Sequence, residues 1–159
     1  KHPGIKLAIS GSHFPELFDR LGDMVEYHAW TKWEAHPYRM KLLDLDMAII
    51  PLVDDDSFNI YKSELKMMEF AALKVPMIIK DQEPYSLYIE RNKNCLAYKD
   101  DKELMVCFGK MISGKANKET LVKNAYSWVK GERNIEKIAP DVVGVYKSLL
   151  SENTKKLIK

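Results

Sequence analysis

The sequence predicts an α/β fold with a doubly wound, mainly parallel Rossmann-like sheet, helices on both faces and further helices at the C-terminal end. Apolar runs typical of strands alternate with segments of helical periodicity through most of the chain. Residues 47–52 and 75–79 are almost entirely apolar, as are parallel strands covered on both faces. We therefore expect a single domain over residues 1–159 with about five or six strands.

The first strand is predicted at residues 5–11 and is followed by a helix with Pro15 in its first turn. Gly11 suits the tight turn between them. Ser12 and His13 either face a ligand-binding cleft or one of them caps the helix, and Gly11 and Ser12 are candidate substrate-binding residues. No Gly-x-Gly-x-x-Gly or Gly-Lys-Ser/Thr phosphate loop is present in the sequence.

A second strand is predicted at residues 24–29, where apolar and polar residues alternate. Thr31 and Glu34 have the spacing of a capping box, which predicts a helix from Thr31 to Leu43. Trp30 lies in the connection between strand and helix. It either packs against Trp33 or faces a ligand.

The middle of the chain is predicted to contain a helix that begins soon after the strand at 47–52 and ends before the strand at 75–79. Leu65, Met68 and Ala72 have the spacing of a core-facing stripe. Residues 80–94 form a polar loop that precedes a short strand at 95–98.

Three helices are predicted in the last third, at residues 100–112, 117–130 and 135–150. The first has a capping box formed by Asp100 and Glu103. Gly131 is a stop signal for the second helix. Pro140 is expected to break or kink the third.

Composition excludes several classes of function. The net charge of +2 and the pI of 8.4 are too mild to predict nucleic-acid binding. The two cysteines, Cys95 and Cys107, and the four scattered histidines have no metal-ligand spacing, so we expect no metal site. We expect a cytoplasmic protein, because the sequence shows neither a membrane-spanning run nor a signal peptide and has few cysteines. Since the chain starts with Lys1 almost directly before a strand, we also expect it to be an excised part of a larger protein.

Lys62, Lys66 and Glu69 share one stripe of the predicted middle helix at i, i+4 and i+7. Two ammonium groups near a helix N-terminus suit a diphosphate, and a carboxylate further along suits a sugar diol. In open α/β sheets, ligands bind beyond the carboxyl ends of the strands, which is where this helix is predicted to start. The pattern therefore predicts a nucleotide-sugar site, with a solvated helix face as the alternative.

This segment resembles the donor-binding domain of glycosyltransferases built from two Rossmann-like domains, the GT-B architecture, and in particular the branch called group 1. The resemblance is specific in the central segment and general elsewhere. The matching residues are Asp46, Pro51, Leu52, Asn59, Lys62, Ser63, Lys66, Glu69, Ala71, Ala72, Pro76, Pro84 and Tyr85.

The resemblance implies that Glu69 holds the ribose hydroxyls and that Lys62 and Lys66 hold the diphosphate. As catalytic residues, these lysines would neutralise the diphosphate as it leaves the sugar. Many relatives carry a second glutamate, near the transferred sugar, where this chain has Tyr61.

The departure at Tyr61 leaves three candidates for the sugar contact, Asn59, Tyr61 and Ser63. The resemblance further implies that Trp30 borders the nucleotide base, and Tyr85 belongs to the matched set near the donor.

The resemblance also implies a donor substrate, a nucleoside diphosphate sugar, with no tightly bound cofactor and no obligatory metal. Transfer would retain the anomeric configuration. The acceptor-binding domain would lie N-terminal to this one and outside this chain. Asp54, Asp55 and Asp56 form either a solvated loop or a site for a cation that bridges to the diphosphate.

Two other functions stay open from the sequence. The first is a non-catalytic α/β module that binds a partner, although the acidic cluster of a receiver domain is absent after the first strand, where Ser10, Gly11 and Ser12 stand. The second is a degenerate glycosyltransferase-like domain without turnover, for which Tyr61 is the hint.

Overall fold

The computed structural model describes residues 4–53 and 57–157. The chain divides into two compact units, Lys1–Leu45 and Asp46–Lys159, called unit 1 and unit 2 below. Both units combine helices with parallel strands. This arrangement confirms the predicted α/β class, with the five described strands distributed over two small sheets.

Unit 1 has two strands and two helices in alternation. They are β1 (Leu7–Ser10), α1 (Pro15–Leu21), β2 (Val25–His28) and α2 (His36–Leu42). β1 and β2 pair in parallel, with Leu7 opposite Val25. Pro15 is the first residue of α1, as predicted, because its fixed φ and missing N–H fit that position.

Two predicted helix caps in unit 1 are wrong. No side-chain cap hydrogen bond closes the start of α1, so neither Ser12 nor His13 is its cap. α2 begins at His36 rather than after Thr31. A hydrogen-bonded turn, in which the Ala35 N–H donates to the Lys32 carbonyl, precedes the helix, and a proline in the first helical turn sets its start.

Unit 2 has a three-stranded parallel sheet in the order β3-β4-β5, followed by helices. Its elements are β3 (Ala48–Ile50), a 3₁₀ helix (Ser57–Tyr61), α3 (Leu65–Ala72), β4 (Met77–Lys80), β5 (Leu96–Tyr98), α4 (Asp101–Ile112), α5 (Lys118–Glu132) and α6 (Ile135–Leu157). β4 is central in the sheet and buried along its whole length. In β3, at the edge of this sheet, Ile49 is 40% exposed, so the expectation of complete burial holds only for β4.

The core of unit 2 joins the sheet to its helices. Buried side chains from β4, β5, α4 and α5 form one cluster of Ile78, Leu96, Tyr98, Cys107, Met111 and Leu121. α3 contributes Met67 and Ala71, which are almost completely buried, whereas Leu65 is 52% exposed. The predicted core stripe of α3 was therefore wrong in register, because α3 packs on α5 and the sheet through Met67 and Ala71.

Only some of the caps, stops and breaks predicted for the helices of the last third are found in the structure. The Asp100 side chain accepts a hydrogen bond from the Glu103 N–H at 2.8 Å, which confirms the predicted cap. Gly131 does not end α5, which continues to Glu132. α6 is one continuous helix through Pro140. Within the described ranges, no helix is both long and apolar enough to cross a membrane.

Candidate functional site

Except for Tyr85, which follows β4, the predicted site residues of unit 2 follow the carboxyl end of β3. The 3₁₀ helix Ser57–Tyr61 comes first, and α3 begins only at Leu65. Lys62 therefore lies in the connection before α3, and its predicted place on the helical stripe is wrong. Its N–H donates to the Asn59 carbonyl at 3.0 Å, which extends the tighter 3₁₀ geometry up to Lys62. Asp54, Asp55 and Asp56 lie outside the described residues.

Asn59 anchors this connection. Its side chain is completely buried, and its Nδ2 donates to the Val53 carbonyl at 2.6 Å. Its Oδ1 accepts a hydrogen bond from Lys62 Nζ, also at 2.6 Å. The same ammonium lies 5.4 Å from the centroid of the Phe58 ring. One buried amide thus ties the Lys62 cation to the segment that follows β3.

Lys66 and Glu69 form an ion pair on the first turns of α3. Lys66 Nζ donates to Glu69 Oε2 at 2.9 Å, and their side chains are 54% and 24% exposed. Such an exposed i, i+3 pair contributes little to stability. Both charges remain within reach of solvent, and so of a ligand.

Tyr85, from the segment after β4, lies within electrostatic range of Glu69. The residue is buried, and burial raises the pKa of its hydroxyl. The carboxylates of Glu69 and Glu64 raise that pKa further. The raised pKa keeps the Tyr85 hydroxyl protonated at neutral pH, so it can donate a hydrogen bond.

Tyr61 and Ser63 are exposed, Tyr61 to 79%. Within the described part of the chain, neither side chain has a hydrogen bond or ion pair. They are the two sequence neighbours of Lys62, and neither joins its contact with Asn59. The structure thus leaves three polar groups near Lys62, one buried and two open to solvent.

The unit 1 candidates meet at the ends of β1 and β2. Gly11 has a φ of +105°, and a Cβ at this position would lie 3.4 Å from the Trp30 indole. Its N–H donates to the His28 carbonyl at 3.0 Å, and Tyr27 Oη donates to its carbonyl at 2.9 Å. Trp30 thus rests on a glycine that a side chain would crowd, while 79% of its surface stays exposed.

The other predicted contacts of these loops differ from expectation. Among the described residues no ring contact joins Trp30 to Trp33, which is 81% exposed. His13 stacks on Phe18 with ring centroids 4.6 Å apart. Ser12 is exposed. The alternative that Trp30 packs against Trp33 is therefore wrong, and most of the Trp30 surface is open to solvent.

The sequence reasoning missed a polar and aromatic cluster beside α3, formed by Glu64, Arg133, Tyr88 and Trp128. Glu64 Oε1 and Arg133 Nε are 2.9 Å apart. The Arg133 guanidinium lies 4.6 Å from the Tyr88 ring centroid. Because Glu64 and Arg133 are far apart in sequence, no local pattern signals their pairing.

A second polar cluster closes the ends of β4 and β5. Lys80 is buried and donates to the Lys99 carbonyl at 2.6 Å. Arg91 Nη2 donates to Asp81 Oδ2 at 2.6 Å, and this hydrogen bond raises the pKa of the guanidinium. These charges are already paired within the protein, so the cluster holds the loop between β4 and β5.

Two cavities lie against α4, with volumes of about 210 and 340 Å³. Both are lined by Asn92 and Lys110, and none of the predicted site residues lines either of them. The predicted site residues and these two cavities therefore do not coincide. Over the described residues, no group of three or more His, Cys, Asp or Glu side chains is arranged to hold a metal ion.

Comparisons with protein-family models, with curated proteins and with solved structures found no match to this chain.

Proposed function

We propose that the chain is the donor-binding domain of a glycosyltransferase and that it binds a nucleoside diphosphate sugar through the segment from Asn59 to Glu69. One observation carries the proposal. The residues of the sequence pattern, Asn59, Lys62, Ser63, Lys66 and Glu69, follow the carboxyl end of a parallel strand, the end at which open α/β sheets bind ligands.

The positions of Lys62 and Lys66 suit the binding of a diphosphate. Lys62 is restrained by the buried Asn59 amide, so less side-chain freedom is lost when a phosphate binds. Lys66 stands in the first turn of α3, where backbone N–H groups also favour anions. When the bond between the anomeric carbon and the phosphate oxygen breaks, the electron pair stays on that oxygen, and both ammonium groups neutralise the charge.

Glu69 and Tyr85 offer the hydrogen-bond acceptor and donor that suit a ribose. The Glu69 carboxylate accepts hydrogen bonds, and the protonated Tyr85 hydroxyl donates one. A ribose diol offers two donors and several acceptors, so it fits between such groups. Binding would separate Glu69 from Lys66, whose exposed pairing costs little to break.

The proposed reaction is glycosyl transfer to an acceptor held by a further domain. Tyr61 stands where many glycosyltransferases of this type have a glutamate near the sugar. A domain that binds the nucleotide but has lost turnover is therefore the second candidate.

Calorimetric titration of the purified chain with UDP, GDP and ADP, and then with their sugar conjugates, tests the proposal. We expect one of these diphosphates to bind with micromolar to millimolar affinity. Lys66→Met should weaken that binding about tenfold, because it removes one phosphate-facing charge and little else. Lys147→Met on α6 is the matched control, since it removes the same charge from an exposed helical lysine.

Equal weakening by both lysine variants would show non-specific attraction and would contradict the proposed site. Absence of binding by all three diphosphates and their conjugates would favour a non-catalytic partner-binding module. Binding without any hydrolysis or transfer of the sugar by the full-length protein would favour the degenerate domain.

A further inference from the structure

A carboxylate stands where the proposed diphosphate needs positive charge. Glu64 lies between Lys62 and Lys66 in sequence and directly precedes α3. Such a residue stabilises a helix N-terminus through the helix dipole. The same negative charge would repel a diphosphate bound by the two lysines.

Arg133 meets this carboxylate from the far end of α5. It directly follows α5, and its N–H donates to the Val129 carbonyl at 3.0 Å. Its Nε lies 2.9 Å from Glu64 Oε1, but the two are poorly aligned for a hydrogen bond. The contact is therefore chiefly a charge pair, and both side chains are about one-fifth exposed, 21% for Arg133 and 18% for Glu64.

Two aromatic rings fix the guanidinium. Its central carbon lies 4.6 Å from the Tyr88 ring centroid and 5.6 Å from the Trp128 centroid. The two rings are 5.7 Å apart. Since a planar cation stacks on aromatic faces, Arg133 is held in place by contacts that lysine does not reproduce.

The field of Glu64 reaches the candidate ribose contact. The Tyr85 hydroxyl, whose pKa is raised mainly by burial, is also raised by the carboxylates of Glu69 and Glu64. Glu64 and Glu69 therefore act on the same small region. A Glu64 charge without a partner would add to that of Glu69 and oppose an anionic ligand.

We propose that Arg133 is a positioning residue of the diphosphate site, which neutralises the Glu64 carboxylate while Tyr88 and Trp128 hold its guanidinium in place. This inference rests on the proposed function. It assigns to α5 a part in anion binding that the sequence pattern of α3 does not reveal. Arg133 contacts Glu64, and it acts on the ligand only through it.

Arg133→Gln tests this proposal. The variant should weaken binding of the diphosphate that wild type prefers about tenfold, equivalent to about 1.4 kcal/mol. Binding of the corresponding uncharged nucleoside should change little. Because the effect is electrostatic, the difference should shrink as salt is raised.

Glu64→Gln supplies the rescue and guards against misfolding. In the Arg133→Gln background it should restore diphosphate affinity, because it removes the uncompensated charge. In the wild-type background it should leave affinity unchanged or increased. This single variant keeps the proposal falsifiable when Arg133→Gln does not fold.

The outcomes separate this inference from the function on which it rests. Wild type that binds no nucleoside diphosphate overturns both. Wild type that binds, with Arg133→Gln at unchanged affinity or without rescue by Glu64→Gln, overturns the role of Arg133 alone. Weaker binding by Glu64→Gln alone has the same meaning, since it would make the carboxylate itself a ligand contact.

Discussion

Asn59→Ala removes the buried amide that joins Val53 to Lys62. Two hydrogen bonds of 2.6 Å are lost, one to a carbonyl and one to an ammonium. An ordinary hydrogen bond contributes about 1 kcal/mol and one to a charged group about 1.5 to 3 kcal/mol. The hydrogen bond from Lys62 contributes less than this range, because the Lys62 side chain is exposed to water that screens its charge. The free energy of unfolding should therefore fall by about 1 to 2 kcal/mol.

Lys62→Met is the matched control for Asn59→Ala. It removes the charged hydrogen bond but keeps the bond from Asn59 to Val53, so the free energy of unfolding should fall by less than about 1 kcal/mol. Both variants should weaken diphosphate binding about tenfold, since each removes or releases the anchored cation. Urea denaturation followed by circular dichroism measures the first quantity, and calorimetric titration measures the second.

Two results would contradict the stabilising role of the Asn59 amide. One is an Asn59→Ala variant with wild-type stability, which would mean that the buried amide makes no net contribution. The other is equal destabilisation by Asn59→Ala and Lys62→Met, because the bond to Val53 would then contribute nothing.

Two further predictions concern Cys95, directly before β5, and the cap of α4. The pKa of the Cys95 thiol is raised from 9.0 to about 12, mainly by burial. The unfolded chain releases this proton near pH 9, so wild type should lose up to about 4 kcal/mol relative to Cys95→Ala as pH rises toward 12. Parallel loss of stability by the two proteins in urea titrations across this range would contradict the assignment. Asp100→Ala removes the cap of α4 and should cost about 1 kcal/mol in the same assay, whereas Asp101→Ala, one residue inside α4, should cost less. Equal costs would show that capping is not the cause.

The sequence predicted those elements whose signals are local. Alternating apolar runs placed the strands, and β5 lies within the short strand expected at residues 95–98. The Asp100 cap was predicted because donor and acceptor are three residues apart. Thr31 has the same local pattern but does not cap α2, because a hydrogen-bonded turn and Pro37 move the helix start.

The candidate site was predictable in composition and less so in geometry. Lys66 and Glu69 are neighbours on α3, as the helical spacing indicated. Lys62 is displaced from that stripe because the segment around Asn59 is a 3₁₀ helix, and short polar side chains compete with regular helical bonding. Arg133 reaches Glu64 only through the packing of α5 on α3, and sequence spacing carries no information on such a contact.

The assignment of Glu69 to the ribose is the central claim, and a comparison of two ligands tests it directly. The titration uses the preferred nucleoside diphosphate and its 2′,3′-dideoxy form against wild type and Glu69→Gln. The account predicts that wild type binds the ribose form at least about tenfold more tightly and that Glu69→Gln loses most of this preference. An undiminished preference in Glu69→Gln, or equal binding of both ligands by wild type, would contradict it.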